Sequence, residues 1–150
     1  MSKALAVGLL TLFCFCFSMG TTQAQDNYDQ ALGLRGGPTA AVTYKRFLDV
    51  FTAIEGIAGF NFTNGRIITL TGLYQYHQPI SYQANLYGGA GLTMGFNSSE
   101  FRLNLETMVG IEYTMPKFPL NISFDYKPAF NIFKSNFIWN EFGVSVRYTY

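Results

Sequence analysis

The sequence contains little of what soluble enzymes and metal proteins usually carry. It has two cysteines and one histidine, and charged residues make up 13% of its 150 positions, about half the share typical of soluble domains. Both cysteines, Cys14 and Cys16, lie in one apolar segment near the amino terminus. The rest of the chain therefore has no thiolate for a disulfide, a metal site or a nucleophile.

The amino terminus has the pattern of a secretory signal peptide. Lys3 precedes an apolar stretch over residues 4–19, and a short polar segment follows. We expect cleavage after Ala24, which would remove residues 1–24. The apolar stretch is shorter than the ~20 residues that a spanning helix needs; an uncleaved membrane anchor is the alternative. Each cysteine follows a phenylalanine, which argues against lipid attachment.

Removal of residues 1–24 leaves one domain, residues 25–150, with nine basic and nine acidic side chains among 126 residues. Its formal charge is zero, so no basic surplus indicates nucleic acid as a partner. Aromatic residues, by contrast, make up 17% of the sequence. Few charges, many aromatic residues and no second apolar run of helix-spanning length are typical of membrane β-barrels.

Apolar and polar residues alternate along most of the chain after Gln30. In residues 101–114 the odd positions carry apolar side chains and Thr107, and most even positions carry polar or charged ones. Residues 120–127 and 141–150 alternate in the same way. Successive side chains of a strand point to opposite faces, so these segments predict strands with one apolar and one polar face.

Turn signals divide the chain into eight predicted strands. The signals are Gly36-Gly37-Pro38, Asn64-Gly65, Asn97-Ser98-Ser99 and the proline-framed residues 115–119. Residues 29–47 also fit one long strand kinked at Gly36-Gly37, but an even strand count is the norm for bacterial barrels and places both termini on the periplasmic side. The predicted strands are residues 29–36, 39–47, 52–62, 66–76, 83–96, 101–114, 119–130 and 138–150.

The apolar face is predicted to contact lipid. A water-exposed face would carry more Lys and Glu than the sparse charges of the polar face. Aromatic residues also lie at both ends of the apolar face, with Phe101 and Tyr113 twelve residues apart and Phe118 and Phe130 at the same spacing. Twelve tilted residues rise roughly 30 Å, close to the ~25 Å band between aromatic girdles. The sequence therefore predicts an all-β, transmembrane, antiparallel up-and-down β-barrel of about eight strands; a soluble periplasmic barrel that binds an apolar ligand is an alternative.

Ten charged residues on the polar face are predicted to form a network in the lumen. Eight strands leave an interior just wide enough for side chains, which favours a closed plug of ion pairs over a transport pathway. Asp125 and Lys127 are expected beside Arg147 and Glu112, near enough to pair across the lumen. The ten residues are Arg35, Lys45, Glu55, Arg102, Glu106, Glu112, Asp125, Lys127, Glu141 and Arg147.

The single histidine, His77, falls in a predicted turn at residues 77–80, with no carboxylate placed beside it. Catalysis needs a nucleophile, a base and an orienting group within hydrogen-bond reach, and only Ser81 lies nearby. We therefore expect no catalytic residue, metal site or cofactor, and no effect of His77→Ala on folding. An outer-membrane enzyme that modifies lipid A or phospholipid is the other alternative.

The carboxyl terminus looks like the assembly signal of outer-membrane barrels. Phe142, Val144, Val146, Tyr148 and Tyr150 alternate along it, and Tyr150 stands where phenylalanine is usual. The segments 33–35, 43–45, 70–74, 110–114 and 125–130 are similar to a family of small bacterial outer-membrane β-barrels of unassigned function, with OmpA/OmpX-type barrels as architectural relatives. The resemblance implies recognition by the barrel-assembly machinery and residence in the outer membrane of a Gram-negative bacterium, in contact with lipid and lipopolysaccharide. We expect a monomer with a structural or interaction role.

Overall fold

The computed structural model describes residues 28–61 and 66–150, and these form ten β-strands. The predicted signal peptide and the Asn64-Gly65 turn lie outside the described residues. In the described part of the chain, no helix is long and apolar enough to cross a membrane. The strands are β1 (Gln30–Gly36), β2 (Thr39–Phe47), β3 (Thr52–Asn61), β4 (Ile67–Pro79), β5 (Ala84–Phe96), β6 (Phe101–Thr114), β7 (Leu120–Tyr126), β8 (Ala129–Asn131), β9 (Asn136–Ile138) and β10 (Phe142–Thr149).

Eight strand positions close into one antiparallel barrel, which confirms the predicted all-β, up-and-down barrel of about eight strands. Strands β1 to β7 pair consecutively, β7 also pairs with β10, and β10 closes onto β1. Residues 29–47 form two strands and not one, because β1 and β2 pair from Gln30 with Arg46 to Arg35 with Ala41. The predicted even number of barrel strands is therefore correct.

A break at Pro128 separates β7 from β8. Proline has no N–H to donate to a ladder, so β7 ends at Tyr126 and β8 resumes pairing with β6 at Ala129. Strand β9 pairs only with β8 and forms a short hairpin with it. The prediction of one continuous strand over residues 119–130 is therefore wrong. The predicted strand 138–150 is also interrupted, because residues 139–141 separate β9 from β10.

The two ends of the barrel differ. At the terminal end, the Gln30 N–H donates to the Tyr150 carbonyl at 3.1 Å. The turn after β2 lies at this end, where hydrogen bonds from the Thr52 hydroxyl and two backbone N–H groups lower the pKa of Asp49. At the opposite, loop end, the β8–β9 hairpin leads to Trp139, which is 62% exposed and stacks on Phe137 with ring centroids 4.7 Å apart.

The barrel is polar inside and apolar outside. On β6, Glu106 and Glu112 are buried, whereas Leu105 and Ile111 are almost half exposed. The same alternation runs along β2, β4 and β10. A water-soluble barrel has the opposite arrangement, since it buries its apolar face in the core.

Candidate functional site

The lumen holds eight of the seventeen charged side chains in residues 28–61 and 66–150. Four cationic and four anionic side chains are buried there, so their formal charges cancel. Arg102 and Glu141, which were predicted to join them, lie instead at the loop end with side chains 32% and 20% exposed. They line the mouth of the lumen because the barrel wall ends there. The eight buried residues are Arg35, Lys45, Arg147, Lys127, Glu55, Glu106, Glu112 and Asp125.

The Glu55 cluster occupies the middle of the lumen and consists of Glu55, Arg147, Thr43 and Gln75. Arg147 is fully buried; its Nη2 donates to Glu55 Oε1 at 2.5 Å, and its Nη1 donates to Ser123 Oγ at 2.7 Å. Gln75 Nε2 donates to Glu55 Oε2 at 2.5 Å, and the Thr43 hydroxyl donates to Oε1. Both carboxylate oxygens of Glu55 therefore have partners, which a buried charge requires.

The Glu112 cluster lies nearer the terminal end and consists of Glu112, Lys45, His77, Asn85 and Tyr28. Lys45 Nζ lies 3.0 Å from Glu112 Oε2, and Asn85 Nδ2 donates to Oε1 at 3.1 Å. His77 Nδ1 is 3.2 Å from Oε1, and the Tyr28 hydroxyl donates to Oε2 at 3.3 Å. One carboxylate thus joins side chains from β2, β4 and β5 to Tyr28, two residues before β1.

The placement of His77 corrects the sequence interpretation. Strand β4 continues to Pro79, whose partner in the ladder is Asn85, so His77 is a lumen residue and is 1% exposed. Its ring centroid lies 4.7 Å from that of Phe47 and 5.1 Å from that of Tyr87. Pro79 indicated a turn at a position where β4 still continues. Proline is tolerated at the end of a strand, because its missing N–H removes few hydrogen bonds there.

The contacts of His77 orient its ring without bringing a nucleophile to it. Its Nδ1 faces Glu112, and its Nε2 is 3.3 Å from the Gln75 side-chain oxygen. The Ser81 hydroxyl instead accepts backbone hydrogen bonds from Gln83 and Ala84 within the turn after β4. The described residues also contain no group of three histidine, cysteine or acidic side chains that could hold a metal ion.

His77→Ala is therefore expected to destabilise the barrel, contrary to the expectation from sequence. The substitution removes the imidazole that contacts Glu112 Oε1 and Gln75 Oε1, and the loss of a buried polar partner costs about 1–3 kcal/mol. The free energy of unfolding from urea titration in detergent micelles measures the effect. Gln78→Ala, one residue along and outside the lumen, is the matched control, and equal stability of the two variants would contradict the structural role.

Two further clusters lie towards the loop end. In the Asp125 cluster, Arg35 Nη1 is 2.6 Å from Asp125 and the Tyr87 hydroxyl donates to Asp125 Oδ2 at 3.1 Å. In the Glu106 cluster, Lys127 Nζ lies 2.8 Å from Glu106 and 3.9 Å from Glu141. The lumen therefore contains two further buried ion pairs, Arg35–Asp125 and Lys127–Glu106.

The predicted pairing of these charges with near neighbours was wrong. Asp125 and Lys127 were expected to meet Arg147 and Glu112, but the strand register places Arg147 opposite Asn121 and Glu112 opposite Ser123. Arg147 and Glu112 instead pair with Glu55 and Lys45, both from the opposite side of the barrel. The charges therefore connect distant strands across the lumen.

Inward-facing glycines provide space for the largest side chains. A Cβ added to Gly143 would come within 2.7 Å of Arg35 Nη1, and one added to Gly110 would lie 2.7 Å from Tyr87 Cζ. Real Cβ atoms do not approach other atoms so closely. Arg35 and Tyr87 can therefore lie flat against the barrel wall because their neighbours have no side chain.

An apolar belt and a cavity complete the lumen. The belt is one buried cluster beside Glu55: Ala41, Ile57, Leu73, Tyr87 and Met108. Beyond it lies a cavity of about 120 Å³, here named the vestibule, whose lining includes Arg35, Glu106, Lys127 and the mouth residues Arg102 and Glu141. Outside the mouth, hydrogen bonds from Arg102 and then Lys134 lower the pKa of Glu100.

Sequence reasoning missed several residues of this network. Gln75 and His77 continue the inward parity of Thr71 and Leu73 on β4. Gln75 already lay at an inward position of the predicted strand 66–76, and extending that strand would have added His77. Tyr87 could not be found in this way, because β5 has glycines and other small residues on both faces and therefore shows no clear alternation of polar and apolar side chains. Tyr28 lies before the first strand, where alternation does not apply.

Comparison with known proteins assigns no family to this chain. No protein-family model, curated protein or solved structure matches it. The similarity to small outer-membrane barrels therefore stays a prediction.

Proposed function

We propose that this chain is a small integral outer-membrane β-barrel with a closed lumen and a structural or interaction role without catalysis. One observation carries the proposal: the barrel buries eight charged side chains and exposes its large apolar ones. In water this arrangement leaves the apolar side of nearly every strand hydrated, at a cost of about 25 cal/mol per Å². In a bilayer the same surface contacts hydrocarbon.

The outer surface carries aromatic side chains at both edges of its apolar band. On β6 the exposed residues Phe101 and Tyr113 mark the two ends of one apolar face. Tyr148 and Tyr150 add aromatic side chains at the terminal end, and Phe133 and Trp139 add them at the loop end. Aromatic girdles at both edges of an apolar band are typical of outer-membrane barrels.

Features of the sequence support delivery to that membrane. Residues 1–24 have the pattern of a signal peptide. The residues of the predicted assembly signal, which lie on β10 and at Tyr150 directly after it, all have exposed side chains. In this proposal the barrel-assembly machinery recognises that strand, and the finished barrel is a monomer surrounded by lipid and lipopolysaccharide.

The lumen supports a closed barrel better than either alternative. A carrier of apolar ligands needs an apolar cavity, whereas twelve of the eighteen residues that line the described cavity are charged or carry hydroxyl or amide groups. A lipid-modifying enzyme needs a nucleophile near its base, and the contacts of His77 are with Glu112, Gln75 and two rings. Paired charges that fill the lumen instead leave no continuous path for ions.

Membrane location and closure are tested together. Expressed in a Gram-negative host, the mature protein should begin near Gln25, fractionate with outer membrane and resist extraction by carbonate. Reconstituted in planar bilayers, it should give no steady conductance, with a channel-forming porin in the same lipid as control. Recovery in the soluble periplasmic fraction would overturn the location, and reproducible open-channel steps would overturn the closed lumen.

A further inference from the structure

The vestibule is a polar cavity that a purely structural role does not use. Its volume is about 120 Å³, and a cavity of about 150 Å³ holds a benzene ring. The vestibule is smaller than that and a hexose is bulkier than benzene, so a sugar ring enters only in part, and the open mouth beside Arg102 and Glu141 holds the remainder. The apolar belt and the Arg35–Asp125 pair lie beneath the cavity, so a ligand enters and leaves at the loop end.

Hydroxyl and amide groups form much of the polar wall. The Thr71 and Thr93 hydroxyls are 2.6 Å apart, across β4 and β5. A hydroxyl has one proton and two lone pairs, so this pair keeps acceptor capacity for a ligand that carries hydroxyls of its own. The contributing side chains are Thr39, Asn61, Thr69, Thr71, Thr93 and Asn104.

The cations around the vestibule are already neutralised by carboxylates. Arg35 lies 2.6 Å from Asp125, and Lys127 lies 2.8 Å from Glu106. Arg102 is likewise 3.1 Å from Glu100. A free anion would have to displace one of these carboxylates, whereas a neutral hydroxyl group can bond to a charged pair without separating it.

Arg35 also provides a donor that the protein leaves unused. Its Nη1 contacts Asp125, but its Nη2 is buried and has no hydrogen-bond partner among residues 28–61 and 66–150. A buried donor left unsatisfied costs about 1–3 kcal/mol. Nη2 lies against Gly143, so a turn of the Arg35 side chain, which lines the vestibule, would bring this donor to a ligand oxygen and remove that cost. Ile57, Ile67 and Ile138 line the same space and offer apolar contact to the C–H groups of a ring.

We propose that the vestibule binds one neutral sugar residue, such as the terminal hexose of a glycan. The threonine and asparagine side chains and Arg35 bond to its hydroxyls, the isoleucines contact its ring, and the open mouth accommodates the rest of the glycan. This inference concerns the lumen alone, and it can fail or succeed whether or not the barrel resides in the outer membrane.

Isoleucine-methyl NMR on the whole folded barrel tests the proposal, in an amine-oxide detergent that has no sugar headgroup. D-glucose, D-galactose and N-acetylglucosamine are titrated separately, and sodium phosphate and sodium acetate are the anionic probes. We expect at least one sugar to shift the methyl signals of Ile57 and Ile67 saturably in the millimolar range. The outward methyls of Ile54 and Ile111 should not move.

Two variants complete the test. Thr93→Val removes one hydroxyl and should raise the dissociation constant by about threefold to tenfold, whereas Thr107→Val, on the exposed face of β6, should not. Gly95→Val should abolish binding, because a Cβ there meets its neighbours at 3.4 Å or more while the added methyls fill the cavity. Shifts caused by the anions alone, shifts caused by no probe, or sugar binding unchanged in Gly95→Val would each overturn the proposal.

Discussion

Arg147→Ala should lower the free energy of unfolding by about 3–5 kcal/mol, the usual cost of leaving one partner of a buried ion pair uncompensated. Arg147 is the main positive partner of Glu55, with its Nη2 2.5 Å from Oε1, and both side chains are fully out of solvent. Its removal leaves Glu55 charged in the middle of the lumen. Urea titration of the folded barrel in phospholipid vesicles, followed by the fluorescence of Trp139, measures the loss.

Lys134→Ala is the matched control for charge. Lys134 pairs with Glu100 at 3.3 Å, but its side chain is more than half exposed, and exposed pairs contribute about 0–1 kcal/mol. The double variant Arg147→Met with Glu55→Gln should recover much of the loss, since it leaves neither charge unpaired. If Arg147→Ala proves as stable as Lys134→Ala, the plug does not hold the barrel together.

Val146→Arg should destabilise the barrel in a bilayer by about 2–4 kcal/mol, the cost of a basic residue on the lipid face near the midplane. Val146 is 47% exposed and lies midway between Phe142 and Tyr150 on the outward face of β10. On a water-soluble barrel the same substitution would change stability by only about 0.5 kcal/mol. The variant therefore distinguishes the two environments of the outer surface.

This measurement is best made on chemically unfolded protein refolded into phospholipid vesicles, because Val146 also belongs to the proposed assembly signal. Asn136→Arg, at the exposed start of β9, introduces the same charge outside the apolar band and should have little effect. Equal stabilities for the two arginine variants, together with a barrel that stays monodisperse without detergent, would favour the soluble alternative.

The barrel could be predicted from sequence because its main signal is local. Which face a side chain occupies follows from a period of two, so the inward parity of Glu106, Glu112, Asp125 and Arg147 needed no knowledge of the rest of the chain. The interruption at Pro128 was harder to predict, because a proline can lie at the edge of a sheet as well as at a break in a strand.

The pairing inside the lumen could not be predicted in the same way. Lys45 and Glu112 are 67 positions apart in the chain, and Arg35 and Asp125 are 90 apart. Their contact depends on how far neighbouring strands are offset when the barrel closes. His77 adds a second kind of error, since a proline two residues later concealed the last inward position of β4.

If the barrel inserts into a membrane as proposed, the separation of Trp139 from the chain termini makes the time of crossing measurable. Trp139 is the single tryptophan and lies at the loop end, whereas Gln30 and Tyr150 are hydrogen-bonded at the other end. A chain that enters a vesicle loop end first carries its indole through the whole hydrocarbon layer while both termini stay outside. Iodide sealed within the vesicles would quench the fluorescence only on emergence, so the interval between strand formation and quenching is the transit time.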